Sequence, residues 1–123
     1  PSLKTLKFGN SFKQELEQGV LCDGITDLTF GNMFDHSIDF LPSRLQRLEF
    51  GRLFNQELQP GVFPASLTAL VFGRDFNQPL EKGVLPPGLS DLTFGQAYNQ
   101  PLAIDVLPRD LRRLVFGRDF NQP

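Results

Sequence analysis

The sequence FGRDFNQP occurs at residues 72–79 and again at residues 116–123. The two copies lie 44 residues apart, and half of this interval, 22 residues, is the spacing at which most of the chain repeats. A period in the twenties is typical of solenoids, in which every unit packs on its neighbours. We therefore predict a single repeat domain over residues 1–123. Its units start near residues 3, 25, 45, 67, 89 and 111, with the second two residues short and the last incomplete.

Each unit follows the pattern L-x-x-L-x-F-G-x-x-F-N-Q-P-L-x-x-G-V-L-P-x-x, and its first Leu is numbered position one below. Position four is Leu, position six is Phe and position seven is Gly in all six units. All fourteen aromatic residues occupy repeat positions, including Phe40 and Phe63 in the V-L-P step. Since repeat positions that keep one apolar residue type form the shared core of a solenoid, we expect every aromatic side chain in the interior.

The L-x-x-L-x-F stretch predicts a short strand, because positions four and six point to the same face of an extended segment. The Gly at position seven allows a positive φ or a close backbone approach, and the prolines at positions thirteen and twenty block a helix. We therefore predict an all-β, leucine-rich-repeat-like solenoid of about six 22-residue repeats, with a parallel β-sheet and little or no regular helix. Its interior columns run from Leu6 to Leu114, Phe8 to Phe116, Phe12 to Phe120 and Leu16 to Leu102.

Two further features follow from the same pattern. The F-N-Q-P-L stretch is a candidate for a second ladder of strands beside the first. The second unit loses two residues around Asp39 and Phe40. Because deletions are tolerated best in surface connections, we expect this segment at an outer corner away from the sheet.

The whole unit resembles the FNIP repeat, also called the IP22 repeat, of social amoebae and giant viruses. The motif is carried by F-N-Q-P-L at residues 76–80 and by Y-N-Q-P-L at residues 98–102, with Leu in place of the family's Ile. The resemblance extends over the entire chain and implies a solenoid used for protein recognition. Some family members carry an F-box, which this sequence does not contain. The resemblance therefore implies no ubiquitin-ligase role for this chain by itself, and it transfers no catalytic residues.

Composition argues against several classes of partner. A net charge of −2 and a pI near 5.3 do not provide the basic surface that nucleic acid requires. No apolar run is long enough for a membrane span. The single Cys22 cannot form an internal disulfide, which favours a reducing compartment. We expect a cytoplasmic protein, in the host cytoplasm if the source is viral, and, since the sequence starts at Pro1 and stops within a unit, part of a longer chain.

Position eleven holds Asn in four units, and stacking of the units aligns these side chains in a column. An Asn in a solenoid bend can bond backbone groups of its own unit and of the next. We predict a structural ladder, with a ligand-binding row of amides as the alternative, and we interpret the Gln residues at position twelve as structural or solvated. The predicted ladder consists of Asn55, Asn77, Asn99 and Asn121.

Catalytic and metal sites are not indicated. Cys22 and His36 occupy positions twenty and twelve of adjacent units, which predicts different corners, whereas a nucleophilic pair must lie within hydrogen-bond reach. A metal site needs three or four convergent ligands, and the sequence has no cluster of Cys and His. We interpret both residues as drift in a degenerate terminal unit. Lys13 and Asp35 also depart from the pattern, since they replace the Asn of position eleven. We expect no enzyme activity and no cofactor.

The variable positions lie on the strand and at its end. By analogy with leucine-rich repeats, positions three and five project from the exposed face of the sheet, and position eight lies at its edge. These positions differ between units although the core does not. Arg52 and Arg74 place like charges side by side at position eight. Two candidate lateral ion pairs at position three are Asp27 with Arg47 and Asp91 with Arg113.

A protein-binding surface is the functional hypothesis that these positions favour. Arginine is enriched at protein interfaces, and three arginines lie close together in the third and fourth units. A merely solvated face is the alternative for the same residues. The hypothetical protein-binding patch consists of Arg47, Glu49, Arg52, Val71 and Arg74.

Two functions therefore stay open. The first is a non-catalytic protein–protein interaction module that binds a protein of unknown identity through the exposed face of the sheet. The second is a structural or self-associating spacer in a longer repeat protein, because uncapped parallel edges favour end-to-end stacking. Carbohydrate binding is disfavoured, since the pattern assigns every aromatic residue to the core.

Overall fold

The computed structural model describes residues 3–103 and 105–122, and within these ranges no residue is helical. Each unit contributes one three-residue strand, and the six strands form one parallel sheet in chain order. The predicted all-β solenoid with a parallel sheet is confirmed. The strands are β1 (Thr5–Lys7), β2 (Asp27–Thr29), β3 (Arg47–Glu49), β4 (Ala69–Val71), β5 (Asp91–Thr93) and β6 (Arg113–Val115).

The strand register places identical repeat positions side by side. Leu48 pairs with Leu28 on one side and with Leu70 on the other. The same register continues across the short second unit, since β2 and β3 are paired although they start 20 rather than 22 residues apart. The two missing residues are therefore absorbed outside the strand, where Asp39 and Phe40 form an exposed turn, as the deletion predicts.

The interior is built from positions four and six. Leu48 and Phe50 are buried, whereas Arg47, the first residue of β3, is exposed and Glu49 is half-buried. This alternation follows from the period of two in an extended chain. Burial of one such Leu or Phe contributes about 1.5–3 kcal/mol, and the middle units bury these columns more fully than the end units, where side chains such as Leu6 are only partly covered.

The Phe residues of positions six and ten form two stacked columns of rings. Phe72 lies 5.7 Å from Phe50 with nearly parallel ring planes, and Phe76 lies 6.1 Å from Phe54. Within one unit, Phe72 also stacks on Phe76 at 4.0 Å. Each ring in the middle of the array therefore has aromatic neighbours above, below and beside it, which adds about 0.5–1.5 kcal/mol per pair to its burial.

The Gly at position seven is required by a close backbone approach, not by its φ. A Cβ atom built on Gly73 would collide with the carbonyl oxygen of Gly51, and the same collision recurs at Gly31, Gly51, Gly95 and Gly117. None of these has a positive φ. The successive turns after the strands are therefore stacked backbone on backbone, and a side chain at this position would force two units apart.

Phe40 contradicts the expectation that every aromatic side chain is in the core. It is 44% exposed. At the same repeat position, Val20 is 57% exposed and Val84 only 1% exposed. Phe40 lies in the turn of the return segment that the deletion shortens by two residues, so the physical reason is that this shorter return leaves its ring on the surface.

The candidate second ladder of strands is also wrong. In the described ranges, the F-N-Q-P-L stretches form no strands, and the sheet of β1 to β6 is the one sheet present. Pro at position thirteen has no N–H to donate to such a ladder. Side-chain amides connect the units there instead.

Candidate functional site

The five residues of the hypothetical protein-binding patch lie on two neighbouring units. Arg47 and Glu49 are on β3, and Val71 is the last residue of β4 and is half-buried. Arg52 and Arg74 follow the strands at position eight, one residue beyond the stacked glycines. All five are therefore neighbours on the sheet face or at its edge, but their interactions divide them into two groups.

Arg47 and Glu49 bind each other. Arg47 Nη2 donates to Glu49 Oε1 at 3.1 Å, and the two side chains are 49% and 39% exposed. Residues two apart on a strand point to the same face, which brings the two charges together. An exposed ion pair contributes at most about 1 kcal/mol, but it balances the charge of both residues.

The predicted lateral ion pairs are wrong. Arg47 is directly opposite Asp27 in the register of β2 and β3, yet its guanidinium binds Glu49 of its own strand. Asp91 and Arg113 are opposite each other in β5 and β6, and they form no ion pair in the described part of the chain. Glu49 offers Arg47 a closer carboxylate on the same face than the shorter Asp27 does across the sheet.

Arg52 and Arg74 occupy equivalent backbone positions in two adjacent units. Asn32 Oδ1 accepts a hydrogen bond from Arg52 N at 3.3 Å, and Arg52 O accepts one from Asp75 N at 3.0 Å. The guanidinium groups are exposed. Arg74 Nε lies 3.8 Å from Asp75 Oδ1, and Arg52 forms no ion pair within the described ranges.

A groove of about 450 Å³ runs along the edge of the sheet where the strands end. It brings together Glu49, Arg52 and Arg74 from the predicted patch, whereas Arg47 and Val71 are not part of its lining. The floor is formed by the stacked turns of positions six and seven. Further lining residues that the sequence pattern had not singled out are Lys7, Asn10, Thr29 and Asn32.

Asn10 and Asn32 form a short amide ladder on this edge. Asn10 Oδ1 accepts from Asn32 N at 3.4 Å, and Asn32 Oδ1 in turn accepts from Arg52 N. The signal in the sequence was the presence of Asn at position eight of two consecutive units and of Arg in the next two. An Arg side chain has no acceptor, so the ladder ends at Arg52.

A second and longer amide ladder connects position eleven of successive units. Asn77 Oδ1 accepts from Asn99 N at 2.9 Å and from Gln100 Nε2 at 3.1 Å. The same two bonds recur one unit earlier and one unit later. In this geometry the Asn column and the Gln column belong to one network. Its Asn members include the four residues of the predicted ladder, Asn55, Asn77, Asn99 and Asn121.

Asp35 and His36 take part in this ladder although they differ from the repeat pattern, so the interpretation of His36 as drift is wrong. Asp35 Oδ1 accepts from Asn55 N and from Gln56 Nε2, each at 2.9 Å. His36 Nε2 lies 2.7 Å from Lys13 O and donates to it, as Gln56 Nε2 does to Asp35 O. A carboxylate oxygen and an imidazole N–H replace the amide groups because only acceptor and donor positions matter here.

The two residues considered for nucleophilic catalysis, Cys22 and His36, are not paired in the described structure. Cys22 is exposed, and the contacts of His36 are with Lys13, Phe34 and Glu15. No group of three or more His, Cys, Asp or Glu side chains in the described ranges is arranged to hold a metal ion. Within the same ranges, no helix has the length and apolar character needed to cross a membrane.

Tyr98 is the one buried side chain of the described residues whose polar atom has no hydrogen-bond partner. It replaces Phe at position ten of the fifth unit and stacks between Phe76 and Phe120. Burial raises the pKa of the Tyr98 phenol to about 12, since the charged phenolate would lose its hydration in the core. The hydroxyl is therefore a destabilising element in an aromatic column and does not open into the groove.

Comparison with known proteins agrees with the resemblance carried by the F-N-Q-P-L motifs. The FNIP Repeat family matches residues 1–32, 12–53, 54–97 and 98–123, which together span the chain. No curated protein matches the sequence. Among solved structures, the chain is similar to CroV588 of a giant virus, described as a novel circular LRR protein structure, with 47% identity and a TM-score of 0.97. The alignment covers 99% of this chain and 18% of that chain, so this sequence spans less than a fifth of CroV588.

Proposed function

Because the chain belongs to the FNIP repeat family, we propose that it is a non-catalytic module that binds a protein partner through the exposed face and edge of its parallel sheet. The observation that carries this proposal is the groove at the sheet edge, where Glu49, Arg52 and Arg74 line a common surface. Repeat solenoids typically use such continuous, side-chain-variable surfaces for recognition.

The contrast between inward and outward residues supports the proposal. On β3, the inward Leu48 is identical in all six units. The outward positions vary: in the other units the position of Arg47 holds Thr, Asp, Ala or Arg, and that of Glu49 holds Lys, Thr or Val. Stability constrains the inward positions, because each is enclosed by neighbouring units. The outward positions are free to follow a partner, and arginine is among the residues that contribute most at interfaces.

Affinity capture from a lysate of the source cells tests this proposal. The parent chain is compared with a variant that carries Arg47→Glu, Arg52→Glu and Arg74→Glu. A matched control carries Arg44→Glu, Lys82→Glu and Arg109→Glu, three exposed residues outside the sheet face with the same change in net charge. We expect a protein that the parent and the control retain and the patch variant loses. Equal retention by all three would contradict binding through this surface.

A structural role as a spacer, or self-association, is the second candidate, and one observation favours it. A Cβ atom on Gly9 would meet no atom within 4 Å, whereas the equivalent atom on Gly117 at the other end would meet the preceding unit. Within the described residues there is therefore open space beside Gly9, on the side that every internal unit presents to the one before. The similarity to a circular protein of greater length fits a continuing array of such units.

Sedimentation at increasing concentration tests the second candidate. If copies stack end to end, the mass rises with concentration, and Gly9→Ala abolishes the rise because the added methyl group would collide with the backbone of the neighbouring copy. A constant monomer mass, or association that Gly9→Ala leaves unchanged, would argue against stacking through this face.

A further inference from the structure

Arg52 and Arg74 interrupt a structural pattern at the edge of the sheet. At position eight, Asn10 and Asn32 each accept a backbone hydrogen bond from the next unit. Arg52 N donates to Asn32 Oδ1, but the Arg52 side chain has no acceptor to offer to the backbone of Arg74. The exchange of Asn for Arg at this position therefore removes a contact between units.

The two arginines also place like charges on adjacent rungs. Neighbouring parallel strands lie about 4.8 Å apart, which sets the spacing of these rungs. Arg74 has only the 3.8 Å contact with the carboxylate of Asp75 next to it in the chain. Arg52 has no ion-pair partner among residues 3–103 and 105–122. Residues that break a local pattern without a compensating contact are expected at functional sites.

The charge of the groove differs in sign from that of the whole chain. Its charged lining residues are Lys7, Glu49, Arg52 and Arg74. Glu49 is already bound to Arg47, so the cations facing the groove are not balanced by it. The chain as a whole has a net charge of −2, and the groove is therefore a local positive region on an acidic protein.

Because the groove is positively charged, we infer that it binds an extended, acidic segment of a partner protein, with two carboxylates bound by Arg52 and Arg74. Guanidinium groups bind carboxylates through paired, charge-assisted hydrogen bonds. The inference rests on the proposed function, because it assigns the chemistry of the partner at the same surface.

The floor of the groove favours an extended segment. Gly31, Gly51 and Gly73 are stacked there and present no side chains, so a partner backbone can approach closely. The lining spans four units, or roughly 15 Å at the spacing of parallel strands, which is the length of about five extended residues. The polar side chains of Asn10, Thr29 and Asn32 line the same groove. They provide donors and acceptors for the backbone of the bound partner segment.

A protein segment fits this site better than a nucleic acid does. Nucleic acid carries a dense row of phosphates and is bound by proteins that neutralise many of them. Here the groove has three cations, and the surrounding chain is acidic, which repels a long polyanion. A short segment with a few carboxylates matches the small number of cations in the groove.

Fluorescence anisotropy with defined peptides tests the inference. The probe is a short, fluorescein-labelled peptide of alternating Glu and Ser, and the matched probe has Gln in place of Glu. We expect the parent to bind the Glu peptide and not the Gln peptide, with an affinity that falls as salt is added. The double variant Arg52→Gln and Arg74→Gln is expected to bind at least about tenfold more weakly, since both charge-assisted contacts are lost.

Two further variants separate the geometry of the arginines from net charge and folding. Arg44→Gln with Arg109→Gln changes the net charge by the same amount at exposed corners and is expected to bind like the parent. Arg52→Lys with Arg74→Lys keeps the charge but loses the paired geometry and is expected to bind with intermediate affinity. Thermal melts of all variants verify that they are folded.

Several outcomes would overturn the inference. They are the absence of binding of the Glu peptide to the parent, equal binding of the Gln peptide, and equal binding by the Arg52→Gln, Arg74→Gln variant. Tighter binding of a single-stranded oligonucleotide of the same charge, with the same dependence on the arginines, would assign the groove to nucleic acid. A captured partner that depends on the sheet face but is not displaced by the Glu peptide would leave the proposed function intact and contradict the acidic segment alone.

Discussion

Position eight and position eleven flank the same turn of the repeat, and both use Asn, but the structure depends on them differently. At position eleven, Asn77 accepts two hydrogen bonds from the next unit, at 2.9 and 3.1 Å. At position eight, Asn32 accepts one, at 3.3 Å. The acceptor persists at position eleven even where Asp35 replaces Asn, whereas position eight changes to Arg from the third unit onward, with Gln in the fifth.

The difference teaches that a column is constrained by the number of contacts that each rung makes with its neighbours. From the second unit onward, position eleven always holds an acceptor, Asn or Asp, whereas Lys13 of the first unit has none. A residue that serves one exposed donor can be replaced by a side chain with another purpose, which is how the arginines of the groove became possible. The same rule predicts how strongly mutations elsewhere in the array affect the free energy of unfolding.

Phe72→Ala is expected to have the largest effect, a loss of about 3–5 kcal/mol, because the ring is buried and stacks on Phe50, Phe76 and Phe94. Phe40→Ala is the matched control at an exposed site and is expected to cost less than about 1 kcal/mol. Urea denaturation followed by circular dichroism measures both. Similar losses of stability for the two variants would contradict the expectation that the effect of a mutation follows the number of contacts that the residue makes with neighbouring units.

Gly73→Ala is expected to cost about 3 kcal/mol, since the methyl group would collide with the carbonyl oxygen of Gly51 and push two units apart. Gly9→Ala is the same substitution at the same repeat position with open space around it, and a change within about 0.5 kcal/mol is expected. The melting temperatures of the two monomeric variants provide the measurement. A destabilised Gly9→Ala monomer would mean that the local conformation, and not the stacking of turns, requires Gly.

Asn77→Ala tests the contrast between the two amide ladders directly. It removes the acceptor of two hydrogen bonds from the fifth unit, although Gln100 Nε2 keeps its bond to Asn77 O, and a loss of about 2 kcal/mol is expected. Asn32→Ala removes one longer bond at an exposed edge and is expected to cost about 0.5 kcal/mol. Asn77→Asp keeps the acceptor, as Asp35 does naturally, and should remain close to the parent in chemical denaturation. Equal losses at positions 32 and 77 would refute the difference between the ladders.

Tyr98→Phe is expected to have the smallest effect and the opposite sign, a gain of about 1 kcal/mol, because the column offers the buried hydroxyl no partner. The gain should increase at high pH. Unfolded tyrosine loses its proton near pH 10, but burial raises the pKa of Tyr98 to about 12 in the folded protein. The parent therefore loses stability between these values relative to Tyr98→Phe, while below pH 10 the contribution is constant.

The chain has one tyrosine and no tryptophan, so absorbance of the phenolate reports Tyr98 directly. A titration midpoint near pH 10 in the folded protein would show that the hydroxyl reaches solvent. In that case the stability of the parent and of Tyr98→Phe would have the same dependence on pH.

Much of the fold could be read from the repeat, because one unit's interior is determined by its own pattern. The columns of Leu and Phe and the parallel strands followed from the alternation of an extended chain. The pattern was less informative where different residue types can make the same hydrogen bond. Asp35 and His36 looked like departures from the consensus, yet they keep the acceptor and the donor that the ladder needs.

The failure at Phe40 has a different origin. A side chain at position eighteen lies on the return segment of its unit, and Val84 and Val106, in units without a deletion, are buried there. In the second unit the return is two residues short, and Phe40 at the same repeat position is exposed. The residue type at one position does not determine how a shortened return segment places its side chain.

The sequence by itself determined the period, the residues that face inward and the family, because each of these depends on spacing within one unit and on its recurrence. Only the tertiary structure decided that Arg47 binds Glu49 and not Asp27, that the glycines serve a close approach of stacked turns, and that Arg52 and Arg74 line a common groove. These are relations between units and between side-chain ends. They depend on the three-dimensional distance between atoms, which the order of residues does not contain.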